Sequence, residues 1–269
     1  MYTMLSNEEK RRIDDLVCLY LKRFTDSFKR RHIRDVSNLS GAINLKKQNV
    51  FINKLPGELI YYSALVRSFD SSFGHVLEML ALEVARAKYK VSQKVTGEID
   101  ARQLDLISDI LTNYRTHTYT PKTEHYAGYT APAFSLHDAQ HASDHVLYDK
   151  ANDTYHIIEL KAGGDLDTKK AEAEKRALLE QYFILKNNGE SADIKLHFAT
   201  AYNKFGEGNK WTQPNVEMFF ASEELLIGKD FWNFVCKDET GFDTVIEAYN
   251  NNLFIIAETL EEIKRVYNI

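Results

Sequence analysis

The stretch between residues 144 and 161 constrains the fold of this chain more than any other. Two short β-prone runs, 144–148 and 154–161, flank the turn-rich spacer Asp149-Lys150-Ala151-Asn152-Asp153, and together they predict a β-hairpin. The second run contains Tyr155-His156-Ile157-Ile158, the pattern of a central strand buried on both faces, where polar residues should be few and purposeful. It nevertheless ends Glu159-Leu160-Lys161. Residues i and i+2 of a strand share a face, so Glu159 and Lys161 point the same way while Leu160 enters the core. Asp144 opens the first strand, which brings a second carboxylate toward Glu159.

The regions around this hairpin alternate helix and strand. Ser6-x-x-Glu9 is a capping box, and Ile13, Leu16, Val17, Tyr20, Phe24 and Phe28 follow at helical spacing, predicting a long helix over 7–34. Its second half is basic, with Lys22, Arg23, Lys29, Arg30, Arg31 and Arg34, which suits a solvated face or a DNA contact. Residues 37–57 are polar and broken by Gly41, Pro56 and Gly57, ahead of a short apolar helix at 59–66. Asp70-Ser71-Ser72 offers N-caps for a helix over 73–90, and a further helix covers 100–113. Residues 114–137 lose any period and fill with Tyr, Thr, His and Pro, a long loop suited to a ligand or to an aromatic flap over the core. Beyond the hairpin, the patterns predict a helix at 168–186, strands at 194–198, 216–220 and 253–257, helices at 229–236 and 243–250, and a last helix behind Thr259-x-x-Glu262.

The chain has 34 Lys and Arg against 39 Asp and Glu, a net charge of −5. That balance argues against non-specific coating of nucleic acid, but a nuclease remains compatible, because catalytic carboxylates add negative charge and phosphate contacts need only local basic clusters. Cys18 and Cys236 are far apart and lack finger-type spacing, so neither a disulfide framework nor a zinc ribbon is encoded. No signal-type segment or membrane-length apolar run occurs, and the expectation is a soluble, cytoplasmic protein.

The hairpin residues suit phosphodiester hydrolysis. Asp144 and Glu159 are hard oxygen ligands for Mg²⁺, which lowers the pKa of a bound water and neutralises charge developing on phosphorus oxygens. Lys161 then orients the water or stabilises the transition state. A rival constellation is His137, His141, Asp144 and His145, which on a helix would share one face and hold zinc. Elsewhere, Lys169 and Lys170 occupy the first turn of the helix after Lys161, where a backbone phosphate is favoured over a cation. Lys175 and Gln181 lie further along that helix and are expected to line the same groove. Lys204, Asn209 and Lys210 sit in a glycine-containing loop able to enter a DNA groove and read base edges.

S-D-H-V-L-Y-D followed by I-I-E-L-K-A-G-G-D-L-D-T-K-K resembles the PD-(D/E)XK nuclease signature. The block F-F-A-S-E-E-L-L-I-G-K-D-F-W-N-F-V from Phe219 is similar to segments of type II restriction endonucleases, with the TdeIII type the nearest subgroup. The resemblance covers residues from about 70 to 240. Ser143-Asp144 stands where the name-giving Pro-Asp would be, a departure that leaves the Asp in place. The resemblance implies a restriction-endonuclease-like α/β fold, a mixed β-sheet of four or five strands flanked by helices. It divides the chain into a helical N-terminal arm, 1–68, available for dimer or DNA contact, and a nuclease core, 69–269. It also implies a further carboxylate on the helix before the sheet, for which Glu78 fits and Glu83 is the rival. The implied activity is Mg²⁺-dependent, sequence-specific cleavage of double-stranded DNA by a homodimer partnered with a cognate methyltransferase. A structure-specific or repair nuclease of the same superfamily, and a non-catalytic DNA-binding protein, are the alternatives.

Overall fold

A computed structural model describes residues 4–129 and 136–267, and among these the side chains of all but Asp35 and residues 136–144. Residues 82–242 form one compact unit, and residues 4–81 together with 243–267 form another.

The first unit is built on a five-stranded mixed sheet in the order β1 (Lys90–Asp100), β2 (Leu136–Asp149), β3 (Thr154–Lys161), β4 (Asp193–Thr200), β5 (Leu225–Ile227). β1, β2 and β3 are antiparallel neighbours, while β4 and β5 run parallel to β3. The expected hairpin forms, with His145 opposite Ile158 and Asp149 opposite Thr154, and β3 is the middle strand. The alternation along β3 sorts its side chains between two faces. Ile157, paired with Leu196 of β4, belongs to a core with α4 (Ala101–Arg115) and α6 (Thr168–Asn187), including Ile107, Leu111, Leu178 and Phe183. On the opposite face His156 lies against His197 and the ring of Phe234 from α8 (Lys229–Cys236). Trp232 of α8 donates its Nε1–H to the Ala201 carbonyl at 2.8 Å, fixing this helix to the end of β4.

Local signals explain the helix starts. Asp100 caps α4 with Gln103 completing a capping box, and the Asp167 carboxylate accepts from the Lys170 amide at 2.8 Å to start α6. In the helical unit, α1 (Asn7–Asp35) begins at the expected box, the Glu9 carboxylate accepting from the Ser6 amide at 2.8 Å. Phe24 and Phe28 of α1 pack with Ile43 of α2 (Ala42–Gln48), with Tyr61, Leu65 and Val76 of α3 (Gly57–Ala85), and with Ile263 of α10 (Phe254–Val266).

Several expectations are corrected. The two helices expected at 59–66 and 73–90 are one, α3, so Asp70-Ser71-Ser72 lies inside a helix rather than at its start. Residues 91–99, unassigned by pattern, belong to β1, an outer strand whose exposed residues Ser92, Gln93 and Lys94 hide the apolar alternation. Residues 216–220, expected as a strand, carry the end of α7 (Pro214–Glu217) and a turn, because Pro214 opens a helix. The helix expected at 243–250 forms as α9 (Gly241–Asn252), whereas residues 253–257, expected as a strand, lead into and start α10, and Thr259-x-x-Glu262 falls inside that helix. The long loop contains the short α5 (Glu124–Ala127), and its residues 130–135 lie outside the described residues.

α6 also carries a buried charge. Lys175 is 1% and Glu224 2% exposed, and they form an ion pair. The Tyr126 hydroxyl donates to the same Glu224 carboxylate at 2.8 Å, and the Lys175 ammonium lies 5.1 Å from the Tyr126 ring centre and 5.0 Å from that of Phe220. Gln181 is likewise buried. Lys175 and Gln181 therefore do not line a DNA groove as expected; they face the core.

These buried polar groups set how the fold should respond to mutation and to acid. Removing one partner of the Lys175–Glu224 pair strands a charge in the core, so Glu224→Ala should lower unfolding free energy by roughly 3–5 kcal/mol, while the double change Lys175→Met/Glu224→Leu should cost much less. Denaturant melts of the three proteins check this; equal destabilisation of single and double variants would refute the pairing. The response to acid rests on two histidines. Burial, reinforced by the Lys195 charge, pulls His156 down to about 4, and burial holds His197 well below the usual histidine value. Both imidazoles are neutral in the fold at pH values where the unfolded chain binds protons, so stability should fall as pH drops from about 6.5 toward 4. His156→Phe should flatten that decline in melts across this range.

Candidate active site

Glu159 and Lys161 occupy the C-terminal end of β3, both half-buried, with Leu160 between them buried on the opposite face. The strand places them beside each other, and the Lys161 ammonium contacts the Glu159 carboxylate. It also lies 3.1 Å from Oε1 of Glu174 on α6. Burial would lower the Lys161 pKa, but the Glu159 and then the Glu174 carboxylate outweigh it and hold the ammonium above the usual lysine range. The Lys161 ammonium thus sits at the C-terminal end of the middle strand, clamped by one carboxylate from its own strand and one from the covering helix.

The chain that follows keeps this strand end tight. Gly164 has φ +71°, and a Cβ there would stand 2.6 Å from Thr200 Cγ2 and 3.2 Å from the Trp211 ring, so only glycine fits. The Asp165 carboxylate accepts from Lys204 and from Gln213, both at 3.3 Å, which joins the loop after β3 to the loop after β4. Ligands of open α/β sheets bind at such C-terminal strand ends.

Asp144 lies in β2 one position before His145, whose register partner on β3 is Ile158. The Asp144 carboxylate and the imidazoles of His137 and His141 lie outside the described residues. The four proposed zinc ligands sit on a strand, which removes the single helical face that would have grouped them. His145 is buried against the Phe231 ring. Among the described residues no group of three His, Cys, Asp or Glu side chains converges as a metal cluster.

Of the remaining expected positions, Lys169 and Lys170 are exposed in the first turn of α6, with Lys170 3.7 Å from Asp167. Lys204 is partly covered by Asp165 and by the Phe205 ring, and Asn209 and Lys210 are exposed in the glycine-containing loop. Glu78 belongs to the helical unit, 3.2 Å from His75 Nδ1, and Glu83 pairs with Arg86 at 2.8 Å.

Glu174 is the site residue that sequence reasoning missed. Its pairing crosses between elements and is invisible to periodicity, but a signal existed. Ala171, Leu178, Tyr182 and Leu185 define the buried stripe of α6, and Glu174 and Lys175 fall on that stripe, where charge needs a partner.

This arrangement supplies carboxylate oxygens and a fixed cation at a strand end, a donor set that fits a hard divalent ion and a phosphate. Among the curated proteins, none matches the chain. No helix of the described residues is long and apolar enough to cross a membrane. The chain does match, over residues 5–252, the model of the family described as "Type II restriction endonuclease, HinfI", where the sequence resemblance had pointed to the TdeIII type. Spanning nearly the whole chain, that match places the protein in the HinfI family of type II restriction endonucleases, site-specific deoxyribonucleases that bind and cleave double-stranded DNA with the help of a divalent metal ion.

Proposed function

We propose that the cleavage site is the C-terminal end of β3, where Glu159 and Lys161 converge, and that the chain works as a PD-(D/E)XK nuclease with Mg²⁺ as its metal. The observation that carries this reading is the Lys161 ammonium held between Glu159 and Glu174 at the end of the middle strand. Asp144 and Glu159 would hold the ion, which when bound supplies an activated water and neutralises charge at the scissile phosphate. Lys161 donates to a nonbridging phosphate oxygen as negative charge builds there, an interaction stronger at the barrier than in the ground state. Glu174 keeps the ammonium from swinging into solvent and fixes its direction. Water attacks phosphorus directly, in line with the departing sugar oxygen, and no covalent enzyme intermediate forms.

Lys169 and Lys170 are proposed to grip backbone phosphates, and Lys204, Asn209 and Lys210 to enter a groove. Glu78 is proposed as a further carboxylate. A palindromic target calls for a two-fold homodimer, for which the helical residues 1–68 offer an interface, and a cytoplasmic enzyme cutting its own host's sequence calls for a cognate methyltransferase. Mapping the cut ends of a digested DNA of known sequence will also show whether the specificity is of the TdeIII type.

Asp144→Ala and Glu159→Ala should abolish cleavage while DNA binding in Ca²⁺ persists; near-normal cutting by either variant would remove it from the site. EDTA should stop the wild-type enzyme, and Mg²⁺ should restore it. Parallel digests with Glu78→Ala and Glu83→Ala test the further carboxylate, with activity abolished only in the first.

Lys161→Ala and Lys169→Ala/Lys170→Ala should fail in different ways. The first should lower the single-turnover rate at saturating enzyme by orders of magnitude with little change in affinity. The second should weaken binding on all sequences and flatten its salt dependence by about one unit for each phosphate no longer gripped. Normal cutting by Lys161→Ala, or an unchanged salt slope for the double variant, would overturn the role concerned.

A further inference from the structure

The basic half of α1 is not used by the site at β3. Its cations are unevenly satisfied. Lys29 pairs with Glu262 of α10, whereas Arg23, Arg30, Arg31 and Arg34 have no carboxylate partner among the described residues. Arg31 instead donates to the Ser72 hydroxyl at 3.1 Å, and Arg23 lies over the Tyr20 ring with 5.6 Å to its centre. In a chain with more acids than bases, four guanidinium groups left together within twelve residues repel one another and call for an external anion.

α1 and α3 shape the place for it. A groove of about 470 Å³ runs between them, rimmed by Arg23 and Arg31, by the hydroxyls of Ser27, Ser71 and Ser72, and by His75. Tyr20, Phe24 and Phe28 form its apolar side. Around α1 a second concavity shares Ser27 and Arg31 and adds Arg30 and Arg34, with Asp26 its one carboxylate among the described residues. Guanidinium forks and hydroxyl donors are the groups that recognise phosphate oxygens, and a polyanion, unlike a single phosphate, would engage both concavities at once.

We propose that this face of α1 and α3 is a sequence-independent clamp for the phosphodiester backbone of duplex DNA. Arg23 and Arg31 bind phosphates at separate points along the groove, and Arg30 and Arg34 bind further along the same strand. The clamp adds affinity to every sequence and discriminates among none, because it presents its donors to phosphates rather than to base edges.

The test is a binding titration on an uncut duplex in EDTA between roughly 50 and 200 mM salt. Made without metal or cleavage, it is independent of the Glu159–Lys161 reading. Arg23→Ala/Arg31→Ala should flatten the plot of log affinity against log salt by about 0.9 for each phosphate no longer neutralised, and Arg30→Ala/Arg34→Ala should do likewise. Arg11→Ala/Arg12→Ala removes two charges from the same helix outside both concavities and should leave the slope unchanged. Arg23→Lys/Arg31→Lys, which keeps the charge, should retain most of it. An unchanged slope in both groove variants, or equal flattening by the Arg11/Arg12 control, would overturn the proposal. So would a changed oligomeric state with an unchanged slope, which would mark the face as a contact between copies. Calorimetric titration with a deoxynucleoside monophosphate should show weak binding, and tight binding that leaves the duplex slope unaffected by these variants would make the groove a nucleotide pocket instead.

Discussion

Burial of β3 on both faces governs the sheet unit. One face is closed by α4 and α6 around Ile157 and the other by α8 around His156, so charge is tolerated only where the strand leaves these covers. Glu159 and Lys161 stand at that exit. The strand's own alternation brings them together, but it leaves a lysine whose charge one neighbouring carboxylate alone would have to hold. The crossover helix that returns the chain to β4 supplies the second, Glu174, at 3.1 Å. The same connection that makes the β3–β4 pair parallel therefore also completes the electrostatics of the site.

Lys175, one residue beyond Glu174, shows the same principle in the interior. It reaches Glu224, just ahead of β5, and Glu224 in turn accepts from Tyr126 of α5. A hydrophobic replacement of similar volume would pack there with little destabilisation, so the pair adds less to net stability than to choice of structure. It specifies which loop folds against which helix, tying the aromatic segment after α4 and the turn before β5 to one side of α6. A single helix thus presents one charge to the site and buries the next as a register mark.

The sequence carried the elements whose burial pattern is strong and local. The hairpin, α1 with its Ser6–Glu9 box, α6 and the Glu159–Lys161 pair were all legible, because each is written within a few residues of itself. β1 was not, since an outer strand exposes Ser92, Gln93 and Lys94 and loses the alternation that announces a strand. Residues 216–220 and 253–257 misled for the opposite reason: short apolar runs have the same composition in a strand and in a buried helix, and only Pro214 hinted at the first outcome. Lys175 misled because charge on a helix ordinarily faces solvent, and only its position on the apolar stripe said otherwise. Glu174 was invisible for the same reason, although its place three residues from Ala171 and four from Leu178 marked it.

The net charge of −5 has a physical consequence for how such a chain holds DNA. A cleavage site that must hold a divalent cation concentrates carboxylates, and these repel the very phosphate the enzyme cuts. Affinity for DNA must come from elsewhere on the chain, through cations that intramolecular acids do not neutralise. The helix holding Glu174 begins with exposed Lys169 and Lys170, and the second half of α1 leaves four arginines without carboxylate partners among the described residues. Repulsion at the proposed metal site and attraction at these lysines and arginines would act over different distances: the first is local and in a partly buried setting, the second is exposed and screened within about 8 Å at physiological salt. Salt should therefore weaken capture of the duplex far more than it alters the cleavage step once DNA is seated, which makes the two charge systems separable by ionic strength alone.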